Sequence, residues 1–295
     1  METLEALAAR LDTTNDIRSI VRTMKSLSSV NIRNYERAVE AISEYERTIR
    51  QGLQIVLRND RERKPRQQAR DGKSGLIVIG SDRGLCGRFN DRIADFASER
   101  LRNLGTGTDH APLLAVVGVR AAARLEALDH PADLTFTLPG SLNGLAGTVQ
   151  SVAVAVDRWV NEAGVRRVTL LFNRRGPGTL AEPAERVLLP IPADFLDDLA
   201  RQPWPSSCLP TYRMEREKLF SWLIGQHLFT LIYRGLAESL ASEHASRLAA
   251  MQGAERNIDE RREDLQSAYR QKRQETVTME LLDLIAGFEA LQQKT

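Results

Sequence analysis

The chain has 295 residues, enough for one large domain or two ordinary ones, and its formal net charge of +2 gives no whole-molecule argument for nucleic-acid binding. Apolar residues make up 42% and aromatics only 5%, a balance that favours long solvated helices over a compact all-β core. Cys86 and Cys208 sit in no CxxC pair and the four histidines in no HExxH, so neither a disulfide scaffold nor a metal-ligand motif is readable.

Residues 1–57 contain no proline, and their first glycine is Gly52. Leu7, Val21, Tyr35, Ile42, Ile49 and Val56 fall on one heptad column, interrupted by Thr14 and Ser28. Leu4, Leu11, Ile17, Met24, Val39 and Tyr45 supply a neighbouring column. A period nearer 3.5 than 3.6, held over this length, predicts a coiled-coil helix of roughly 80 Å. The N-terminal stretch "METLEALAARLDTTNDIRS" has no apolar core of the signal-peptide kind, and no apolar run approaches the ~20 residues that span a bilayer. The expectation is a soluble chain, or one held at a membrane through a partner.

Residues 58–74, "RNDRERKPRQQARDGKS", break the pattern with Pro65, Gly72 and an excess of Lys and Arg, and read as a solvated basic linker. No aromatic residue is interleaved, as a nucleic-acid patch would require. From 75 to 210 the period changes. "LIVIG" (76–80), "LLAVVGV" (113–119) and "VTLLF" (168–172) are short apolar runs that predict buried strands. Helical stretches are expected at 90–104, 119–128 and 142–162, and "AERVLLPI" (184–191) is expected to add an edge strand. Alternating strands and helices define an α/β sheet domain. Residues 211–295 again lack proline and continue a helical period. Two terminal helices with apolar seams can bury them against one another, antiparallel because the chain goes out and returns. The predicted architecture is therefore an antiparallel two-helix coiled coil, residues 1–57 and 211–295, with a central Rossmann-like α/β domain.

The stretch "GLIVIGSDRGLCGRFNDRI" (75–93) is strand, glycine turn and helix, the arrangement that cradles phosphate in nucleotide-binding proteins. It fails the chemical tests. The single GK[ST] triplet, Gly72-Lys73-Ser74, precedes the strand, and Gln67 stands where the first P-loop glycine belongs. Gly80, Gly84 and Gly87 are spaced GxxxGxxG, not GxGxxG, and Asp82 places negative charge where phosphate would lie. No GxSxG, SxxK or paired-carboxylate motif appears. The reading is a structural turn, with glycines permitting close packing, Cys86 as a small buried group, and Asn90 or Asp91 capping the next helix. No catalytic residue, cofactor or metal is expected.

Three stretches together resemble the gamma subunit of F-type ATP synthases: "TNDIRSIVRTMKSLSSVNIR", "SDRGLCGRFN", and the C-terminal "SLASEHASRLAAMQGAERN" followed by "LQSAYRQKRQETVTMELLDLIAGFEAL". They occur in the family's order and cover nearly the whole chain. The resemblance implies a central rotor shaft. Its helix pair would enter a ring of alternating alpha and beta subunits, and its α/β domain would meet the epsilon subunit and the membrane c ring, at the cytoplasmic face of a bacterial inner membrane. Nucleotide chemistry would belong to beta. The resemblance also implies beta contacts at Met24 and Lys25 ("TMK"), at Arg247 ("SEHASRLAAM"), and at Arg273, Gln274, Thr278 and Glu280 ("RQETVTMEL"). Departures such as "GLCGRFN" for the usual "GLCGGFN", and "ERNIDE" after "AMQGA", are closer to the gamma of the alternative N-type ATPase operons. Two other readings compete: an α/β enzyme binding a nucleotide or phosphorylated ligand, and a coiled-coil scaffold.

Overall fold

The computed structural model describes residues 3–58, 72–105, 111–208 and 210–292. Most of the expected basic linker thus lies outside the described residues. The chain divides into two compact units, Met1–Leu27 with Leu248–Thr295, and Ser28–Arg247. Two long helices, α1 (Leu4–Arg58) and α6 (Arg216–Gln292), contribute to both.

In the first unit, α1 and α6 pair antiparallel. Arg18 meets Asp259 at 2.6 Å, and Arg22 and Lys25 meet Glu255 at 3.0 and 2.5 Å. Leu7, Val21, Met251 and Leu265 form the buried seam, as the first heptad column predicts. The neighbouring column departs from expectation. Ile17 is 46% exposed, because a two-helix pair can cover only one narrow stripe of each helix.

In the second unit the first column stays buried at Tyr35, Ile42, Ile49 and Val56, and Ser28, one of its polar interruptions, is buried as well. Tyr45 of the second column is exposed, its hydroxyl donating to Gln226 at 2.9 Å. The sheet has five strands: β1 (Lys73–Ile79), β2 (Leu113–Val117), β3 (Leu134–Phe136), β4 (Val165–Gly176) and β5 (Thr179–Leu189), in the order β3-β2-β1-β4-β5. The first four run parallel, and β5 returns antiparallel to β4 across a Pro177-Gly178 turn in which Gly178 takes φ +73°. Helices α2 (Phe89–Gly105) and α3 (Val119–Glu126) pack on one face through Ile93, Ala97, Leu125 and the even side of β1 and β2. Helix α4 (Leu145–Asn161), with Val149, Val152, Val156 and Trp159, covers the other face together with α1 and α6.

α6 crosses the sheet at Gly235. A Cβ there would stand 2.6 Å from Leu170 Cδ2, so glycine permits the close approach. Helix α5 (Ala193–Arg201) lies after Pro192, where the sequence pattern suggested only a strand end. Leu196 and Leu199 join Ile49, Leu53 and Leu223 in a separate apolar cluster. Strand β3 was also not expected. Two of its three residues are exposed, so it carries no apolar run.

Candidate functional site

An open α/β sheet binds its ligand outside the carboxyl ends of its strands. Here the chain's own groups occupy the carboxyl ends of β1, β2 and β3. Gly80 ends β1 against α3: a Cβ would lie 2.1 Å from that of Ala121. Ser81, which follows, accepts a hydrogen bond at its carbonyl from Arg120 N, 2.9 Å away. Asp82 accepts from Val119 N, the first amide of α3, at 2.9 Å, and from Leu138 N at 2.7 Å. A carboxylate thus satisfies a helix N-terminus that would otherwise attract an anion. The strand expected at 113–119 stops at Val117 for the same reason: Gly118 turns at φ +113° and Val119 is already helical.

Neither expected cap of α2 operates. The side chain of Asn90 turns back, its Oδ1 accepting from Ser81 N at 3.0 Å, while Asp91 pairs with Arg124 at 2.9 Å. Cys86 is buried as expected, and burial pushes its thiol pKa up, which keeps it an unreactive small group.

The loop is closed from outside by α6. Arg247 donates to Gly84 O at 3.2 Å and Arg83 O at 3.4 Å, and to Glu243 Oε1 at 2.6 Å. Arg247 and Glu243 are 5% and 4% exposed. Burial raises the Glu243 pKa and the arginine opposes it. One turn along, His244 stacks on Tyr35 with ring centroids 5.6 Å apart, and burial, then Arg247 and Arg83, push its pKa down to about 4. Ser242 donates to Leu180 O of β5 at 2.7 Å. Contacts at Ser242, His244 and Arg247 thus fasten this stretch of α6 to its neighbours. Arg247, marked by resemblance as a partner contact, spends its donors inside its own chain. Its buried partner Glu243 was not singled out, although the i, i+4 spacing of opposite charges was the available signal.

The other marked residues lie in the first unit. Met24 and Lys25 are half-buried on α1, and the Lys25 ammonium, followed by Arg22, holds the Glu255 carboxyl below its ordinary pKa. Arg273, Gln274, Thr278 and Glu280 are all exposed on α6, with the Thr278 hydroxyl donating to Gln274 O at 2.8 Å. The pairing register explains the exposure. Stepping back from Arg18 to Leu4 on α1 reaches about residue 273 on α6, so the last turns of α6 have no counterpart. Val277, Leu281, Leu284 and Ile285 form an exposed stripe at i, i+4, i+7 and i+8 there.

One unit is an antiparallel helix pair, and the other is an α/β domain whose loop after β1 is held by its own side chains. The ATP synthase family model matches residues 3–291. The chain belongs to the ATP synthase family. It is 26% identical over 311 residues to the ATP synthase gamma chain of Bdellovibrio bacteriovorus, covering 99% of both chains, and 26% identical over 317 residues to that of Nostoc punctiforme, covering 99% of this chain and 100% of the relative. Among solved structures it is similar to a chain of the Euglena gracilis mitochondrial ATP synthase in rotational state 3, with a TM-score of 0.66, 17% identity and 98% and 94% of the two chains covered. It is also similar to a chain of the Tetrahymena thermophila central stalk and c-ring assembly, with a TM-score of 0.55, 21% identity and 80% and 99% covered.

Proposed function

We propose that the chain is the gamma subunit, the rotating central shaft, of an F-type ATP synthase. In this reading it couples ion flow through a membrane c ring to ATP synthesis or hydrolysis on beta subunits, and its partners are alpha, beta, epsilon and the c ring. The observation that carries the reading is the end-to-end match with chains named ATP synthase gamma chain. The exposed end of α6 supports it physically. A single helix presenting Val277, Leu281, Leu284 and Ile285 to water calls for a surrounding sleeve, and a ring of alternating alpha and beta subunits is one.

The polar residues beside that stripe, Arg273, Gln274, Thr278 and Glu280, are the proposed grip on beta, with Met24 and Lys25 a second contact. Arg247 acts in this scheme through the loop it holds, presenting Arg83 and Leu85, both exposed. The chain itself holds no catalytic group in this reading: Asp82 and Arg247, the charged groups of the loop after β1, are spent on its own backbone. No described helix is long and apolar enough to cross a membrane, which accords with a peripheral place on a bacterial inner membrane.

The test is reconstitution with alpha and beta subunits encoded beside it. The chain is expected to co-elute with them in one assembly and to raise their ATPase turnover. If it stays separate, and turnover is the same with and without it, the shaft reading fails.

A further inference from the structure

The charges that face one another in the first unit do not balance. α1 brings Arg18, Arg22 and Lys25 to α6, at i, i+4 and i+7, and α6 answers with two carboxylates, Glu255 and Asp259, at i and i+4. Arg18 and Asp259 pair one to one at 2.6 Å. Glu255 is shared: Lys25 Nζ donates to its Oε2 at 2.5 Å and Arg22 Nε to its Oε1 at 3.0 Å. Three cations against two anions leave one positive charge in excess, and the excess falls at Glu255.

The two cations on Glu255 are not equivalent. Lys25 is the nearer and the more enclosed, its side chain 34% exposed against 53% for Arg22. Breaking a one-to-one pair strands the remaining charge, as loss of Arg18 strands Asp259. Arg22 can swing away without that penalty, because Lys25 stays on Glu255. The same turns of α1 leave Ile20 and Leu27 58% and 54% exposed, apolar surface that a surrounding partner would cover.

We propose that Arg22 is an exchangeable cation. It rests on Glu255 in the free chain and passes to a carboxylate of the subunits around the shaft in the assembled complex, while Lys25 keeps Glu255 paired. Glu255 is then a positioning residue, which holds the guanidinium at this level of the shaft until the partner presents its acid. A pair made in some rotary states and not in others biases an equilibrium, as a fixed pair cannot. The proposal rests on the shaft reading, and it adds Arg22 and Glu255 to the contact proposed at Met24 and Lys25.

The test begins with Arg22→Lys, which supplies an amine that a zero-length carbodiimide couples to a carboxylate it touches. Mass spectrometry of the digest locates the amide formed. In the free chain the amine at position 22 is expected to couple to Glu255. In a complex reconstituted with alpha and beta it is expected to couple to a carboxylate of those subunits, while Lys25 couples to Glu255 in both. ATPase turnover is the second readout. Arg22→Gln is expected to slow the complex roughly threefold or more with KM for ATP unchanged, and Arg22→Lys, which keeps the charge, to recover most of that loss. Thermal unfolding of the free Arg22→Gln chain is expected to match the parent, because Lys25 still holds Glu255. Arg22→Gln combined with Lys25→Gln strands Glu255 and is expected to unfold earlier. When the parent chain assembles and raises turnover, coupling of position 22 to Glu255 alone in the complex, or parent turnover in Arg22→Gln, overturns the proposal and leaves the shaft reading standing. A slowed Arg22→Gln complex whose free chain also unfolds earlier makes Arg22 a structural contact and overturns the exchange. A parent chain that neither assembles with alpha and beta nor raises their turnover overturns both readings.

Discussion

At the scale of single residues, the sequence marked Arg247 but not what it touches. Its chemistry became visible only when Glu243 and the carbonyls of Arg83 and Gly84 were placed around it. The two carbonyl contacts join positions more than 160 apart, and no local pattern reports them, whereas Glu243 stands at i, i+4. The pair's burial sets its energetics. Removing one member of a buried ion pair strands the other, at a cost of about 3–5 kcal/mol, whereas replacing both with apolar groups is often close to neutral. Arg247→Met is therefore expected to lower unfolding stability sharply, and Glu243→Leu added to it to recover at least half the loss. Urea unfolding of Arg247→Met, Glu243→Leu and the double variant checks this, and a double variant as unstable as the sum of the singles would show that the pair does not act as a unit. His244 supplies a second prediction. Its pKa in the folded chain, about 4, is below the ordinary histidine value, so the native state binds fewer protons than the unfolded one between roughly pH 6.5 and 4. Stability from this residue is present above about pH 6.5 and is lost as pH falls. At pH 5 the loss is about 2 kcal/mol, or ~4–8 °C in Tm. Glu243 works in the opposite direction, because its raised pKa favours the native state in acid. The comparison must therefore be with His244→Gln, whose Tm should fall less between pH 7 and pH 5 than that of the parent chain. Equal falls would mean that the histidine is not held neutral.

At the scale of elements, periodicity worked where one physical cause dominated. The apolar positions of the first heptad column are buried from Leu7 to Val56 because each faces another helix or the sheet. The runs that became β1, β2 and β4 were legible because strands buried on both faces must be apolar throughout. β3 was not, since an edge strand with Leu134 and Thr135 facing water needs no such run. α5 was hidden by its prolines. Pro190 and Pro192 were read as stop signals, although Pro192 followed by Asp194, Leu196 and Leu199 is also a helix start. In the crevice loop the failed phosphate motif was legible, but Asp82 as a cap on α3 was not, because the amides it holds belong to Val119 and Leu138. The crossing of α6 over the sheet depends on Gly235, which a sequence reading has no reason to single out. Gly235→Val would favour helix over coil but drive its Cβ to 2.6 Å from Leu170 and its methyl groups further into the sheet. Overpacking of this kind costs about 1–3 kcal/mol. A lower urea midpoint with unchanged helix content is expected. Unchanged stability would mean that the helix can lift from the sheet without loss.

At the scale of the whole molecule, the two units differ in how much of their own surface they bury. The second has a continuous core around Ile79, Leu170, Phe172 and Leu236, whereas the first relies on a seam of a few side chains and on the ion pairs of Arg18, Arg22 and Lys25. The first is also where the proposed grip lies, on the stretch of α6 that has no counterpart on α1. A contact that is equal in every rotary state biases no equilibrium, so Gln274 and Thr278 must bond beta in some states and not in others if they transmit torque. In the free chain the Thr278 hydroxyl rests on the Gln274 carbonyl, a weak intrahelical bond it can exchange for a partner. Replacing both residues by alanine should leave helix content unchanged or slightly higher, because alanine is the better helix former. Assembly should survive too, since the apolar stripe of Val277, Leu281, Leu284 and Ile285 is untouched. Turnover should fall. Two hydrogen bonds of about 1 kcal/mol each, present in the rate-limiting state and absent before it, correspond to a slowing of roughly tenfold or more. Glu255 would be a poor control, because it holds Lys25 and Arg22. Arg261 and Glu263, exposed on the same helix, serve instead. ATPase rates of reconstituted complexes, matched for assembly by size-exclusion chromatography, decide the matter. If Gln274→Ala/Thr278→Ala turns over as fast as Arg261→Ala/Glu263→Ala, the cluster is a solvated helix face and the torque passes elsewhere.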